Sequence, residues 1–393
     1  MQNRRISQKI NNLNKKRIIY RVLMEPGLSI SRSLLSKELD ISFPSVSYIT
    51  SKLIKDGFIL ELDKEKIEKR ASVGRKPIPI KLNSKYGLTV SVQIGYEIAQ
   101  IAAVEVSGNV VSKRHIVFPR NTNFNDLFEK LLQAIYETLK SHADYKNILA
   151  IVVSIPAPID YKKQEIIYSR FYRWRNIKLP SSLTVRENNV KILWENDANL
   201  LTYGASKFLG MQNLVGFYLG FGIGAGIVIG GKVYRGSQGL AGEIGQLVLI
   251  NKNSKIHFEE YATEKAFIKM EEELGEYCEK DFEMPILLEK LEAKSAIPSL
   301  KKKMEKASQD VAVHLASIVM ALDPKKVVLG GEVISYFPSF AHLLIKKMSE
   351  ASKRDVDTFI ITSEKEDFIS IGAHWLSVIN WFDLEDVEHL ERS

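Results

Sequence analysis

The spacing of apolar positions changes along the chain, from helical near the N-terminus to alternating and continuous runs farther on. In Asn14 to Met24, Ile18, Ile19, Val22 and Leu23 share one helical face, and Pro26-Gly27 ends the segment. Ser31 is placed to cap a second, short helix to Leu39, with Leu34, Leu35 and Leu39 inward. Ser42-Phe43-Pro44 opens a third helix running to about Asp56, because serine caps well and proline is tolerated in the first turn. Val46, Ile49 and Leu53 form its apolar face; Ser45, Ser47, Tyr48, Ser51 and Lys52 lie opposite. Phe58 to Leu62 and Ile78 to Leu82 then alternate like two antiparallel strands around a charged tip, Ala71-Ser72-Val73-Gly74-Arg75-Lys76-Pro77.

Farther along, 86–94, 98–106 and 110–118 read as strands, 124–141 as a helix and 148–155 as a buried strand. Ala198 to Phe208 has helical character. Leu214 to Leu219 and Ala225 to Ile229 are apolar runs flanking Gly220, Gly222 and Gly224, and Gly230-Gly231 turns the second run back into Lys232-Val233-Tyr234. The earlier glycines mark close backbone approach, either to an anion such as phosphate or simply to tightly packed β structure. A helix near 303–321, a strand at 326–330 and a closing helix at 369–381 complete a second strand-and-helix set. Residues 264–305 are charged and helix-prone, a solvated face.

Charge divides the chain. Residues 1–85 carry 19 Lys and Arg against 8 Asp and Glu, whereas the whole chain of 393 residues has a net charge of only +8. A basic segment joined to a near-neutral body points to a nucleic-acid-binding module, residues 1–85, attached to a separate body, residues 86–393. The first module reads as a winged helix-turn-helix. Ser42, Ser45, Ser47, Tyr48 and Lys52 would meet DNA from the third helix, and Arg75 and Lys76 from the wing. No apolar run approaches membrane-span length, the N-terminus lacks a signal-peptide core, and Cys278 is the only cysteine. A cytoplasmic location is therefore expected.

The chemistry-bearing motifs lie in the body. Glu195-Asn196-Asp197-Ala198-Asn199 follows a buried run and opens a helix, the place where α/β sheets hold ligands. Gly239-Leu240-Ala241-Gly242-Glu243-Ile244-Gly245-Gln246 holds a glutamate between glycines. With the glycine-rich run at 219–236 and DPKKVVLGGEVI at 323–334, these motifs resemble, in order, the ROK family of sugar kinases and sugar-responsive repressors. The resemblance covers roughly residues 86–382 and implies an α/β, two-lobed, actin-like (ribonuclease H-like) body. It also implies that Asn196, Asp197, Glu243, Gln246 and Glu259 bind sugar, with Asp197 at the position of the catalytic base. Gly95, Gly222, Gly224, Gly330 and Gly331 fall in the family's phosphate loops. The loop Ser154-Ile155-Pro156-Ala157-Pro158-Ile159-Asp160 resembles a further family segment, read as structural support for the cleft.

Two departures matter. The kinases end their first strand in Asp-x-Gly-x-Thr, but this chain has Gln93-Ile94-Gly95-Tyr96-Glu97. Glutamine gives Mg²⁺ no anionic oxygen, and Glu97 would repel phosphate. The family's structural zinc ligands are replaced by Gln246 and an Asn251-to-His257 stretch retaining only His257, so no metal or cofactor is expected. The expected function is a non-enzymatic, sugar-responsive DNA-binding repressor of carbohydrate-utilisation genes, a homodimer or higher homo-oligomer on palindromic operator DNA. Its effector would be xylose, glucose, N-acetylglucosamine or a sugar phosphate. The alternative is an active ATP-dependent kinase of a hexose or N-acetylhexosamine, bifunctional if it also binds DNA.

Overall fold

A computed structural model describes residues 2–62, 78–119, 121–169, 172–220, 222–251, 254–261, 284–362 and 367–387. Near the N-terminus, helices α1 (Gln2–Met24), α2 (Arg32–Glu38) and α3 (Phe43–Lys55) pack with a three-stranded sheet. Its strands β1 (Ile30–Ser31), β2 (Ile59–Glu61) and β3 (Pro79–Leu82) are ordered β1-β3-β2 and antiparallel. Ser31 caps α2 as its sequence suggests, its side chain accepting from the Leu34 amide. Ile18, Leu35, Leu39, Val46, Ile49 and Leu53 are buried together. Leu34 departs from the expectation: it is 43% exposed, because a helix of two turns beside α3 can bury only the face that carries Leu35 and Leu39. The tip with Arg75 and Lys76 lies outside the described residues.

The body stacks two sheets with helices between and outside them. The first sheet holds β4 (Gly87–Ile94), β5 (Ile98–Glu105), β6 (Val110–Val117), β7 (Asn147–Ile155), β11 (Ser182–Val185) and β12 (Asn188–Asn196), in the order β11-β12-β7-β4-β5-β6. Alternation along β7 shows how it is covered. Ile151 and Val153 face one way, into the core closed by α4 (Phe124–Ser141). Ala150 and Val152 face the other, toward α5 (Asp197–Leu209) and the closing helix. A small sheet of β8 (Ile159–Asp160), β9 (Glu165–Ser169) and β10 (Trp174–Lys178) sits beside it.

The second sheet holds the glycine-rich hairpin, β13 (Leu214–Leu219) and β14 (Ile223–Ile229), with β15 (Lys232–Val233). β16 (Val248–Asn251) and β17 (Ser254–His257) form a separate hairpin. After α6 (Met284–Ala293) and α7 (Pro298–Leu322) come β18 (Lys326–Gly330), α8 (Glu332–Tyr336), α9 (Pro338–Ser352), β19 (Phe359–Ile361) and α10 (Phe368–Phe382). The sheet order is β15-β14-β13-β18-β19. Val215, Phe217 and Leu219 point to the core under α7 and α9, while Leu214 and Gly216 point to α5.

α5 and α10 therefore lie back to back between the two sheets, and glycine permits their close crossing. A Cβ on Gly204 would meet the Phe368 carbonyl at 1.8 Å, and one on Gly372 would meet the Leu200 carbonyl at 2.3 Å. α10 continues outward to the N-terminal unit. Trp375, Val378 and Ile379 share one buried cluster with Ile18, Tyr20, Leu23 and Phe58. The Phe58 and Phe382 rings meet at 4.9 Å, and the buried Lys16 ammonium bonds Asp383 at 2.6 Å and Asp386 at 3.2 Å.

Candidate functional site

The cleft between the sheets is built from the N-terminus of α5 and the loops facing it. β12 ends in Glu195-Asn196, and Asn196 caps α5, its Oδ1 accepting from the Asn199 amide at 3.2 Å. Asp197 is the first helical residue, 7% exposed, with Oδ1 accepting from the Ala198 amide at 2.7 Å. Burial, reinforced by the nearby Glu332 carboxylate, pushes the Asp197 carboxyl up to about 7. Burial together with Asp197 and Glu259 likewise raises Glu243 to about 7. Glu243 thus lies within electrostatic reach of both Asp197 and Glu259.

The loop carrying Glu243 is held by backbone contact. The Ala225 amide donates to the Gly242 carbonyl at 2.8 Å, and Gly242 has φ +88 with no room for a Cβ. Glu259 follows β17, and its Oε2 would lie 3.5 Å from a Cβ on Gly222 and 3.2 Å from one on Gly245. Gln246 lines a cavity of about 430 Å³ with Tyr168, Ser169, Arg173, Trp174 and Arg175. Sequence reasoning missed this wall. The aromatic and basic run around Trp174 was its one visible signal, and the fold that brings it to Gln246 was not. His257 Nδ1 meets the Gln246 carbonyl at 3.3 Å. Cys278 lies outside the described residues, among which no cluster of metal-ligating side chains occurs.

A second unforeseen feature is the brace on Glu195, which is 1% exposed. Its carboxylate accepts from Arg235 Nε at 2.8 Å, Asn199 Nδ2 at 2.9 Å, the Asn196 amide at 2.9 Å and the Tyr161 hydroxyl. Charge-assisted bonds of this kind fix geometry strongly. Here they join the first sheet's last strand to the loop after β15 and set the direction in which Asn196 and Asp197 point.

The glycine positions fall into two groups. Gly224 and Gly330 face α5, against Ala198 Cβ and the Leu201 side chain, so their small size serves packing. Gly95, Gly220 and Gly222 face carboxylates of the cleft instead: Glu332 for the first two, Glu259 for the third. Gly331, at φ +100, lies against the Leu219 backbone. Gln93 Nε2 reaches the Tyr218 hydroxyl at 3.5 Å, and Glu97 sits in the left-handed region at φ +54 between β4 and β5.

On the N-terminal unit, Ser42, Tyr48 and Lys52 are exposed and Ser45 and Ser47 half-buried along one side of α3. The Lys52 ammonium stands 4.4 Å over the Tyr48 ring, and Ser42 Oγ donates to Ser45 Oγ at 2.8 Å. Phe43, 52% exposed on the same helix start, was not anticipated.

Comparison with known proteins places this architecture. A putative xylose repressor of Caldicellulosiruptor sp. (strain Rt8B.4) is 26% identical over 347 residues, covering 82% of this chain and 84% of the relative. The Escherichia coli (strain K12) DNA-binding transcriptional dual regulator NagC is 25% identical over 374 residues, with 90% of each covered. The crystal structure of a ROK family transcriptional regulator, a homolog of the E. coli MLC protein, superposes with a TM-score of 0.73 at 19% identity, covering 97% of this chain and 99% of that one. Solved ROK sugar kinases share the fold over a smaller part, as in a match covering 74% of this chain with a TM-score of 0.58. The sequence pattern that defines the ROK family matches residues 89–377, and the chain belongs to that family.

Proposed function

We propose that this chain is a sugar-responsive transcriptional repressor whose kinase-like cleft binds the effector and whose N-terminal unit, a winged helix-turn-helix, binds operator DNA. The observation that carries the reading is mechanical continuity. Asp197 begins α5, α5 crosses α10 at Gly204 and Gly372, and α10 ends in the core shared with α1 and Phe58. A sugar that favours one closure of the cleft would tilt α5 and α10 together and reorient α3 on DNA, a population shift with reciprocal coupling. Asn196, Asp197, Glu243, Gln246 and Glu259 are the proposed sugar contacts, since the buried carboxyl of Asp197 and the half-buried carboxyls and amides of the others match hydroxyl groups. Two copies on a palindromic operator would set two α3 helices in successive major grooves. Similarity over most of their length to a putative xylose repressor and to a DNA-binding transcriptional dual regulator supports the same reading.

The DNA side is tested in the full chain, because deleting residues 1–85 would bare Trp375, Val378 and Ile379. Lys52→Ala should weaken binding to all sequences alike and lower the salt slope by about 1, as loss of one phosphate contact does. Tyr48→Ala should change sequence preference instead, read from a selection on random duplexes. If both variants bind as the parent does, α3 is not the recognition helix.

The fold shared with ROK kinases favours a second reading, an active sugar kinase. Gln93 at the end of β4 argues against it, since it is engaged with Tyr218 and offers no anionic oxygen to Mg²⁺. A coupled assay with ATP, Mg²⁺ and a sugar panel should stay at background; turnover clearly above that of Asp197→Ala would establish the kinase.

A further inference from the structure

Glu332 follows Gly331 at the end of β18 and projects into a recess walled by glycine. A Cβ on Gly220 would meet its Oε2 at 2.2 Å, and one on Gly95 would approach Oε1 at 3.8 Å. The Tyr218 hydroxyl donates to Oε1 at 3.3 Å, and Gln93 Nε2 donates to that hydroxyl oxygen at 3.5 Å. Oε2 is buried and accepts no hydrogen bond among the described residues. Bare glycine backbone around a concavity suits an incoming anion. Here the chain's own carboxylate already stands in it, within electrostatic reach of Asp197.

We propose that Glu332 is a specificity-determining residue: its carboxylate fills the anion recess, so the cleft admits an unphosphorylated sugar and rejects nucleotides and sugars esterified with phosphate on the hydroxyl facing Asp197. The inference rests on the sugar-binding reading for its ligand class, while the exclusion of phosphate stands on the recess alone. A phosphate placed there would overlap Oε2, which already occupies the space beside Gly220, and would bring further negative charge near Glu332 and Asp197. Glu332 and Asp197 lie within reach of one another. The Tyr218 hydroxyl, backed by Gln93, holds Oε1 in place and leaves Oε2 without a donor among the described residues. The residue escapes sequence reasoning because its partners lie more than a hundred positions away.

The test uses the full chain and two variants, Glu332→Gly, which empties the recess, and Glu332→Gln, which keeps its size and removes only the charge. Calorimetry with inorganic pyrophosphate and with Mg·ADP should detect no binding to the parent and at least about tenfold tighter binding to one or both variants. A sugar bound by the parent should bind all three proteins, whereas its phosphate ester should bind only the variants. If Glu332→Gly fails to fold, Glu332→Gln decides. Parent and variants giving the same pyrophosphate and Mg·ADP result, whether all bind or none does, overturns the proposal. A parent that binds no free sugar, with the pyrophosphate contrast intact, would instead overturn the sugar reading and leave Glu332 as the anion block.

Discussion

Asp197→Asn should lose sugar affinity and gain stability, and the opposite signs are the point. The substitution keeps the size of the side chain but exchanges a charged acceptor for an amide. Losing a charge-assisted bond to a buried hydroxyl costs about 1.5–3 kcal/mol, or roughly ten- to a hundredfold in affinity. Stability moves the other way. Burial and Glu332 raise the folded-state pKa of Asp197 to about 7, above its unfolded value. A carboxyl shifted upward contributes stability at low pH that is lost as pH rises through the folded pKa. The parent should therefore weaken relative to Asp197→Asn between about pH 4 and 7, by on the order of 2–4 kcal/mol at pH 8. Thermal melts at pH 5 and pH 8, with calorimetry on the same samples, read both effects. A variant that binds sugar as the parent does would place the effector elsewhere; one less stable at pH 8 would mean that Asp197 is held by compensating contacts.

Gly204→Ala should damage the link between the two sites more than either site. A Cβ there would meet the Phe368 carbonyl at 1.8 Å and the Gly372 amide nitrogen at 2.7 Å, both backbone atoms that cannot swing aside. α10 must move away from α5, and overpacking of this kind costs about 1–3 kcal/mol of stability or more. Neither the proposed sugar contacts nor α3 is touched directly. The sugar affinity of DNA-free protein and the operator affinity of sugar-free protein should each change modestly. The coupling free energy, commonly about 1–3 kcal/mol in such systems, should fall by half or more. A variant with a lowered melting temperature but full coupling would show that the signal bypasses the crossing of α5 and α10.

Much of this architecture was legible because local pattern and tertiary role agreed. The period of Val46, Ile49 and Leu53 fixed the inner face of α3, and the runs on either side of Gly220 to Gly224 did form a hairpin. Other parts were hidden for physical reasons. The start of α1 at Gln2, well before its apolar face, could not be read because Gln2 to Leu13 is polar and almost aperiodic. The small sheet of β8 to β10 alternates weakly, its strands short and charged, yet it brings Arg173, Arg175 and Trp174 to Gln246. Of the candidate site, the residues in contiguous motifs were visible: Asn196, Asp197 and Glu243. Arg235 and Glu332 were not, since each is defined by partners distant in sequence, Glu195 for one and Gly220 with Tyr218 for the other.

The central claim is that occupancy of the cleft sets operator affinity, and one titration tests it. Fluorescence anisotropy would follow the full chain on a duplex selected from random DNA while the sugar identified by calorimetry is added, with Asp197→Asn run in parallel. The account predicts that the parent releases the duplex at sugar concentrations that fill its cleft, and that the variant's release curve lies roughly ten- to a hundredfold higher. Superimposable curves for the two proteins, or operator affinity unmoved by a sugar that fills the parent's cleft, would contradict it.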